Sequence, residues 1–202
     1  MQLIGHIKQV QVQPSSLKIG YGPAKYYDPS PLQRVKSLHI TTSGALGLAE
    51  DGSQILDVHH ADHPNTRQND GLNSISIGFT SHYQAMRARF GAHLTDGIAG
   101  ENILIESATP SPYTLNDLGQ RLAIQSVQNG DYYYLTQLMV AAPCVPFSTF
   151  AANQYGLMPL SNQQIKEALQ FLLDGMRGFY ATLNDTQTAC SIQAGDAVYR
   201  IL

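Results

Sequence analysis

The chain has 202 residues, and its composition excludes several broad classes of protein. Its 12 Lys and Arg residues stand against 15 Asp and Glu residues, giving a formal net charge of -3 with histidines neutral. No run of Lys or Arg forms a basic stripe, so we expect no nucleic-acid partner. No apolar stretch approaches a membrane span, and no apolar signal region follows Met1. The two cysteines, Cys144 and Cys190, are far apart in the chain, which favours free thiols in a reducing, cytoplasmic setting.

The length is most economically that of one domain, spanning 1–202. Along most of it apolar residues alternate with polar or small ones, a period of two that is typical of half-buried strands. In chain order, this pattern and the turn residues between the segments predict strands at 3–12, 35–41, 54–58, 75–79, 103–106, 122–124, 132–140 and 197–202. The expected fold is mainly β: a closed barrel of mostly antiparallel strands with a few flanking helices.

Two early segments depart from the strand period. The segment 20–31 is rich in Gly, Pro and Tyr and is predicted to be a long loop, and long ordered loops often carry function. Further on, Ser81 followed by Gln84 forms a capping box. Tyr, Met and Phe residues then share one face, which predicts a helix at 81–91 that Gly91 ends.

A second helix is predicted near the C-terminal end. Ser161 and Gln164 repeat the capping box. The apolar residues that follow recur at i, i+3 and i+4 and form one stripe. The pattern predicts a helix at 161–177 whose stripe packs on the barrel.

Cys144 has an unusual local sequence. Pro143 and Pro146 fix the backbone around it where a strand is expected to become a loop. A thiol held in this way suits a metal ligand or a carrier of persulfide sulfur. The alternative is a small buried hydrophobic residue, since free cysteine is among the most buried residue types. Cys190 lacks such framing, and we assign it a structural role.

The tetrapeptide that begins at Gly100 opens a predicted strand. The glycine lets the backbone pass close to a ligand. Glu101 supplies a hydrogen-bond acceptor, and Asn102 supplies an amide with both donor and acceptor groups. Together with a cysteine, such a set suits a large anionic cofactor that carries a metal or sulfur.

The densest cluster of ligand-like side chains contains His59, His60 and His63 with Asp57 and Asp62. Adjacent histidines on an extended segment point to opposite faces, so His59 and His60 cannot bind one ion without a turn, whereas His60 and His63 can meet across a loop. The spacing matches no regular zinc motif. The main interpretation is a polar loop whose imidazoles bond to backbone or carboxylate groups. The alternative is that these residues line the mouth of a cofactor site.

A phosphate or oxometal anion would need cationic donors, and an arginine offers a rigid fork for it. Arg67 is the best candidate because it lies just past the histidine cluster in a turn-rich stretch. A solvated surface position is expected for the others, which are Arg87, Arg89, Arg121 and Arg177. The sequence contains no nucleophile-plus-base triad, Walker loop or dinucleotide fingerprint.

A series of short motifs runs through nearly the whole chain. In order they are Asp51-Gly52 in a Gly-rich loop, the segment 57–64, Arg89-Phe90-Gly91 at the end of a helix, the segment 97–103, Leu118-Gly119, Pro143-Cys144, and the segments 178–181 and 192–196. This order resembles the MOSC domain, which is found at the C-terminus of molybdenum cofactor sulfurases. The resemblance implies a β-barrel with flanking helices that binds the molybdenum cofactor.

The resemblance also implies an activity. Stand-alone members include molybdenum enzymes that reduce N-hydroxylated small molecules with electrons from a separate reductase, and by resemblance Cys144 is the molybdenum ligand. One alternative is a non-catalytic carrier of the cofactor or of persulfide sulfur, and another is a ligand-binding or interaction module whose ancestral site has decayed. The sulfurases carry a separate pyridoxal-phosphate domain for which this chain has no room, so any pyridoxal phosphate would belong to a partner.

The site residues follow the same resemblance. Glu101 and Asn102 are expected to anchor the pterin or shape its pocket, and Gly100 to permit close approach. Arg67 or a histidine of the cluster, His60 or His63, is expected to contact the phosphate.

One departure from the family pattern affects these expectations. Where the family commonly places an arginine shortly before the Pro-Cys pair, this chain has Ala141-Ala142. Either another arginine substitutes for it or the ligand differs.

Overall fold

We describe the fold from a computed structural model, which describes residues 1–66, 74–153 and 159–202. Its strands are β1 Gln2–Val12, β2 Lys18–Ile19, β3 Tyr26–Tyr27, β4 Gln33–Val35, β5 Ser37–Thr41, β6 Gly44–Leu48, β7 Gln54–Leu56, β8 Ile75–Phe79, β9 Ile103–Ser107, β10 Leu122–Gln125, β11 Tyr132–Val140, β12 Phe179–Leu183, β13 Ala189–Gln193 and β14 Ala197–Arg200. Its helices are α1 Thr80–Phe90, α2 Leu115–Leu118, α3 Val145–Ala152 and α4 Asn162–Phe171.

Seven strands form a closed barrel in the order β14-β10-β11-β12-β8-β9-β1, with β1 pairing back to β14 and β4 added at the edge of β1. All neighbours in the barrel are antiparallel except β8 and β9, which are parallel. A second sheet has the order β13-β5-β6-β7. The expected fold, a mainly β closed barrel of mostly antiparallel strands with flanking helices, is confirmed.

Two apolar cores explain this arrangement. The alternating apolar residues of the barrel strands and of β5 and β13 form the larger core, because one face of each strand points away from water. The smaller core includes Leu17, Tyr83, Leu104, Phe147 and Leu172, and it joins α1, α3 and the end of α4 to the barrel. These three helices therefore share one apolar core against the barrel. No helix in the described parts of the chain is long and apolar enough to cross a membrane.

The helix α1 lies where it was predicted, but the predicted capping box at its start is wrong. The chain passes directly from β8 into the helix, and Phe79 at the N-cap makes no side-chain capping bond. The hydroxyl of Ser107 on β9 instead accepts a hydrogen bond from the Ser81 backbone N–H at 3.1 Å and donates one to Ser81 Oγ. A neighbouring strand thus satisfies a group that the helix leaves unpaired.

The helix α4 has the predicted capping box, since Ser161 Oγ accepts from the Gln164 N–H and Gln164 Oε1 accepts from the Ser161 N–H. It ends at Phe171, earlier than the predicted 177. Asp174 and Gly175 both have positive φ, at 56° and 94°, which ends helical geometry and turns the chain toward β12.

The backbone after Cys144 forms a helix, where a loop was predicted. Cys144 is the N-cap residue of α3. Pro146 lies in the first turn, where its missing N–H leaves no hydrogen bond unmade.

Candidate functional site

A pocket of about 600 Å³ opens between the β2–β3 region and the edge of the barrel. Its wall is formed by residues from six parts of the chain, which are Gln13, 16–21 with Lys25 and Tyr27, Val58 and His59 with Asn65, Ser76, Ala99 and Gly100, and Arg177 with Tyr180. The loop predicted at 20–31 therefore supplies part of this wall. The volume is that of a small-molecule or cofactor site.

The charge of the pocket is one-sided. Lys18, Lys25 and Arg177 line it together with His59, and no Asp or Glu is among the described lining residues. The chain as a whole carries a net charge of -3, so this concentration of positive charge is local. A concave site lined by one sign of charge attracts ligands of the opposite sign.

Arg177 is the most deeply placed of these cations, and its expected surface position is wrong. Its side chain is only 14% exposed, and Nη1 lies 3.9 Å from Glu101 Oε1. Nη2 donates to the Ala99 carbonyl at 2.5 Å, and the guanidinium stacks over the Phe147 ring at 5.0 Å. Burial lowers the pKa of Arg177, but the charge of Glu101, together with smaller contributions from neighbouring tyrosines, outweighs burial and leaves the pKa raised. The arginine is thus a fixed, permanent cation.

Glu101 lies behind the pocket wall, where it supports Arg177. It is fully buried, and the Tyr83 hydroxyl donates to its Oε2 at 2.7 Å. The same hydroxyl accepts a hydrogen bond from the Ala99 N–H at 2.9 Å. Burial raises the pKa of Glu101, and the charge of Arg177 and the Tyr83 hydrogen bond offset only part of that rise. A chain of buried polar groups thus joins α1 to the pocket cation.

Asn102 has the corresponding role for a second lining residue. Its Nδ2 donates to Asp57 Oδ2 at 2.8 Å, and its Oδ1 accepts from the Ser76 N–H and hydroxyl at 3.0 and 2.8 Å. Asp57 in turn accepts a hydrogen bond from His59 Nδ1 at 2.8 Å. Neighbouring residues on an extended backbone point in different directions, so Glu101 supports Arg177 while Asn102 supports the Asp57–His59 pair.

Asp57 is buried and receives four hydrogen bonds. Its Oδ2 accepts from the Gln13 N–H and from Asn102 Nδ2, and its Oδ1 accepts from the N–H and the Nδ1 of His59. Burial raises the pKa of Asp57, but these hydrogen bonds and the charge of His59 outweigh burial and leave the pKa lowered. The carboxylate is therefore a fixed anion behind the pocket.

Gly100 lines the pocket directly. Its φ is +91°, and a Cβ there would lie 2.8 Å from Leu17 Cδ1 and 2.9 Å from Gln13 Nε2. Its carbonyl accepts a hydrogen bond from Gln13 Nε2 at 2.6 Å. The backbone conformation favours glycine at this point, and a Cβ would also displace the ends of the Leu17 and Gln13 side chains.

The histidine cluster is divided by the fold. His59 lines the pocket with its side chain 28% exposed, whereas His60 and His63 are buried and do not line it. The ring of His60 accepts a hydrogen bond from the Asp62 N–H. Both ring nitrogens of His63 bond to backbone groups, those of Pro14 and Asn65. Sequence reasoning did not single out His59, although the Asp57 to His59 spacing of two was visible.

Two further expectations concern metal and phosphate ligands. Arg67 lies outside the described residues. Within the described ranges no group of three or more His, Cys, Asp or Glu side chains is placed to hold a metal ion.

The two cysteines have different surroundings. Cys144 is half-buried at the start of α3 and packs against the smaller core. Cys144 is not among the described lining residues of the pocket. The neighbouring Phe147 and Phe150 of α3 pack on the ring of Tyr27, and Tyr27 does line the pocket. Cys190 is buried in the barrel core, where burial and the charge of Asp196 raise its pKa to about 12. It is therefore an inert thiol.

Comparisons with known proteins bear on the fold. A scan against protein-family models finds no match, and a search of curated proteins finds none either. Among solved structures, the YuaD protein from Bacillus subtilis is similar over 96% of this chain and 93% of that one, with 12% identity and a TM-score of 0.56. A hypothetical protein matches 96% of this chain and 69% of its own, with 13% identity and a TM-score of 0.46. At this identity the first likeness shows the fold alone.

Proposed function

We propose that the chain binds the molybdenum cofactor in this pocket and uses Cys144 as the thiolate ligand of molybdenum. The observation that carries the proposal is the pocket wall itself, with Lys18, Lys25, Arg177 and His59 and no described carboxylate. A phosphate-bearing, metal-bearing pterin is a large anion that suits such a wall. The resemblance to MOSC domains supplies the identity of the ligand.

The position of Arg177 bears on the missing family arginine. The Ala141 N–H donates to the carbonyl of Gly178 at 2.9 Å, so residue 177 enters the site beside the alanine pair. An arginine from this adjoining segment supplies the cation that the family places before the Pro-Cys pair. In this proposal the alanine pair does not leave the site without a cation, because the positive charge comes from Arg177 instead.

The residues of the chain would divide the work as follows. The two lysines and Arg177 hold the anionic groups, and the Cys144 thiolate binds the metal. Helix α3 fixes the backbone of Cys144, and Phe147 of the same helix packs on the ring of Tyr27, which lines the pocket. When bound, the cofactor supplies the two-electron chemistry for reducing an N-hydroxylated small molecule, with electrons from a separate reductase.

The test is the molybdenum retained per chain after anaerobic incubation with intact cofactor and desalting. We expect near-stoichiometric metal in the natural protein and in Cys190→Ala, and a large loss in Cys144→Ala. Equal retention in the two variants would remove Cys144 from the metal site. No retention in any of the proteins would remove the cofactor proposal.

A second candidate is a carrier of persulfide sulfur, which a partner sulfurase would load. It is favoured by one observation, that Cys144 is half-buried and lies beside the pocket and not in its described wall. A thiol in this place remains accessible to a protein donor. Mass spectrometry after incubation with a sulfurase would then show an extra sulfur on Cys144, with no turnover when chemical reductant is added.

A further inference from the structure

His59 differs from the lysines and the arginine of the pocket because one of its ring nitrogens is already committed. Nδ1 lies 2.8 Å from Asp57 Oδ1. The hydrogen bonds around Asp57 keep it ionised, and an ionised carboxylate only accepts hydrogen bonds. Nδ1 must therefore carry a proton and donate it to Asp57.

The committed proton leaves Nε2 as the ring nitrogen available to a ligand. The two ring nitrogens point in diverging directions, so Nε2 faces away from the buried carboxylate, and the partly exposed His59 side chain lines the pocket. Among the described residues no protein group bonds to it. In the neutral ring Nε2 presents a lone pair, and a lone pair repels the oxygen of an anion.

We propose that His59 takes up one proton when an anionic oxygen binds at Nε2, so that the pocket binds its anion together with a proton. Asp57 is the positioning residue, because its fixed charge orients the ring and stabilises the doubly protonated imidazolium. The inference rests on the proposed anion site and names the group that recognises a phosphate, sulfate or similar oxyanion. No bond other than N–H forms, and the proton comes from solvent.

Other groups near the ring do not mimic this behaviour. On the facing segments the charged or titratable lining residues are Lys18, Tyr21, Lys25, Tyr27, Arg177 and Tyr180. Lysine, arginine and tyrosine side chains ordinarily keep one protonation state around neutral pH, and burial raises the pKa of Tyr27 further. On its own segment, Asp57 is fixed as an anion, Asp62 is exposed, and His60 and His63 point elsewhere.

The test uses inorganic sulfate, whose own charge stays constant near neutral pH. Sulfate affinity is measured by NMR titration from about pH 5.5 to about pH 8.5, which brackets the ordinary histidine range. Because binding needs the protonated ring, we expect affinity to weaken as pH rises, by up to about tenfold per pH unit. His59→Gln should bind sulfate weakly with little pH dependence, and the exposed His39→Gln should behave as the natural protein.

A second readout needs no ligand. Nitrogen-15 NMR of the imidazole rings reports which nitrogen of each histidine holds the proton, and we expect the Nδ1–H form for His59 above the histidine range. In Asp57→Asn this preference should weaken while the variant remains folded. Sulfate binding that is absent or independent of pH, or an Nε2–H ring in the free protein, would overturn the inference. If the protein failed to bind the molybdenum cofactor but the inference about His59 held, both readouts would be as expected. The failure of the proposed function and the failure of this inference are therefore distinguishable.

Discussion

Removing one buried hydroxyl tests the support of the pocket cation. The Tyr83 side chain is fully buried, and its hydroxyl donates to Glu101 and accepts from the Ala99 N–H. Tyr83→Phe keeps the ring and its packing. It leaves the Ala99 N–H without an acceptor and Glu101 without one of its donors.

The size of the effect follows from these two losses. A buried donor left unsatisfied costs about 1–3 kcal/mol, and a hydrogen bond to a charged group contributes about 1.5–3 kcal/mol. Since the two losses share one site and the structure relaxes in part, we expect the free energy of unfolding to fall by about 3 kcal/mol. At a urea m-value of about 2–3 kcal/mol/M, the midpoint would fall by about 1 M.

The assay is equilibrium urea unfolding with Tyr26→Phe as the matched control. Tyr26 is 55% exposed, so loss of the same atom there should change stability by less than about 0.5 kcal/mol. Sulfate affinity of the folded Tyr83→Phe protein should also fall, because Arg177 loses part of its support. A Tyr83→Phe protein as stable as the control would refute the role assigned to this network.

Three other variants test separate parts of the structure. Burial lowers the pKa of His82 to about 4, and its Nδ1 has no partner among the described residues. As pH falls, the unfolded chain therefore takes up a proton at this histidine before the folded protein does, and the free energy of unfolding falls by about 3 kcal/mol in total between about pH 6.5 and about pH 4. His82→Phe should remove that loss in urea unfolding. Replacing Lys18 and Lys25 together by Gln should weaken sulfate binding about tenfold and reduce its salt dependence, whereas Lys166→Gln should not. Gly100→Ala should destabilise the protein by at least about 1–2 kcal/mol, because φ is positive and the new Cβ meets Leu17.

Each of these expectations has a contrary result. Parallel loss of stability with acid in the natural protein and in the His82 variant would remove the buried histidine as its cause. Equal sulfate affinity in the double lysine variant and the Lys166 control would place the anion elsewhere. A Gly100→Ala protein with an unchanged urea midpoint would show that the loop adjusts to the methyl group.

The barrel was predictable because most of its strands show one face to the core. The period of two is long in β1 and β11, and both were predicted. The short strands β2, β3 and β4 were not, nor were β6, β12 and β13. Residues 172–176 keep helical spacing of apolar side chains, which extended the predicted helix into the turn before β12. The positive φ values of Asp174 and Gly175 that end the helix follow from tertiary packing and not from local pattern.

The site was predictable only in part. The Gly-Glu-Asn motif, the histidine cluster and Cys144 were identified from residue type and order. Their roles depend on contacts between distant segments, such as that between Asn102 and Asp57, which are 45 residues apart. The spacing of two between Asp57 and His59 is the one local signal for the histidine that lines the pocket, and no local signal distinguishes a buried arginine after a helix from an exposed one.

The most direct test of the anion site is a crystal structure of the protein after anaerobic incubation with the molybdenum cofactor. We predict electron density for the cofactor in the pocket, with its phosphate among Lys18, Lys25, Arg177 and His59 and its metal bonded to Cys144 Sγ. Density for the cofactor on another surface, with this pocket empty, would contradict the proposed site.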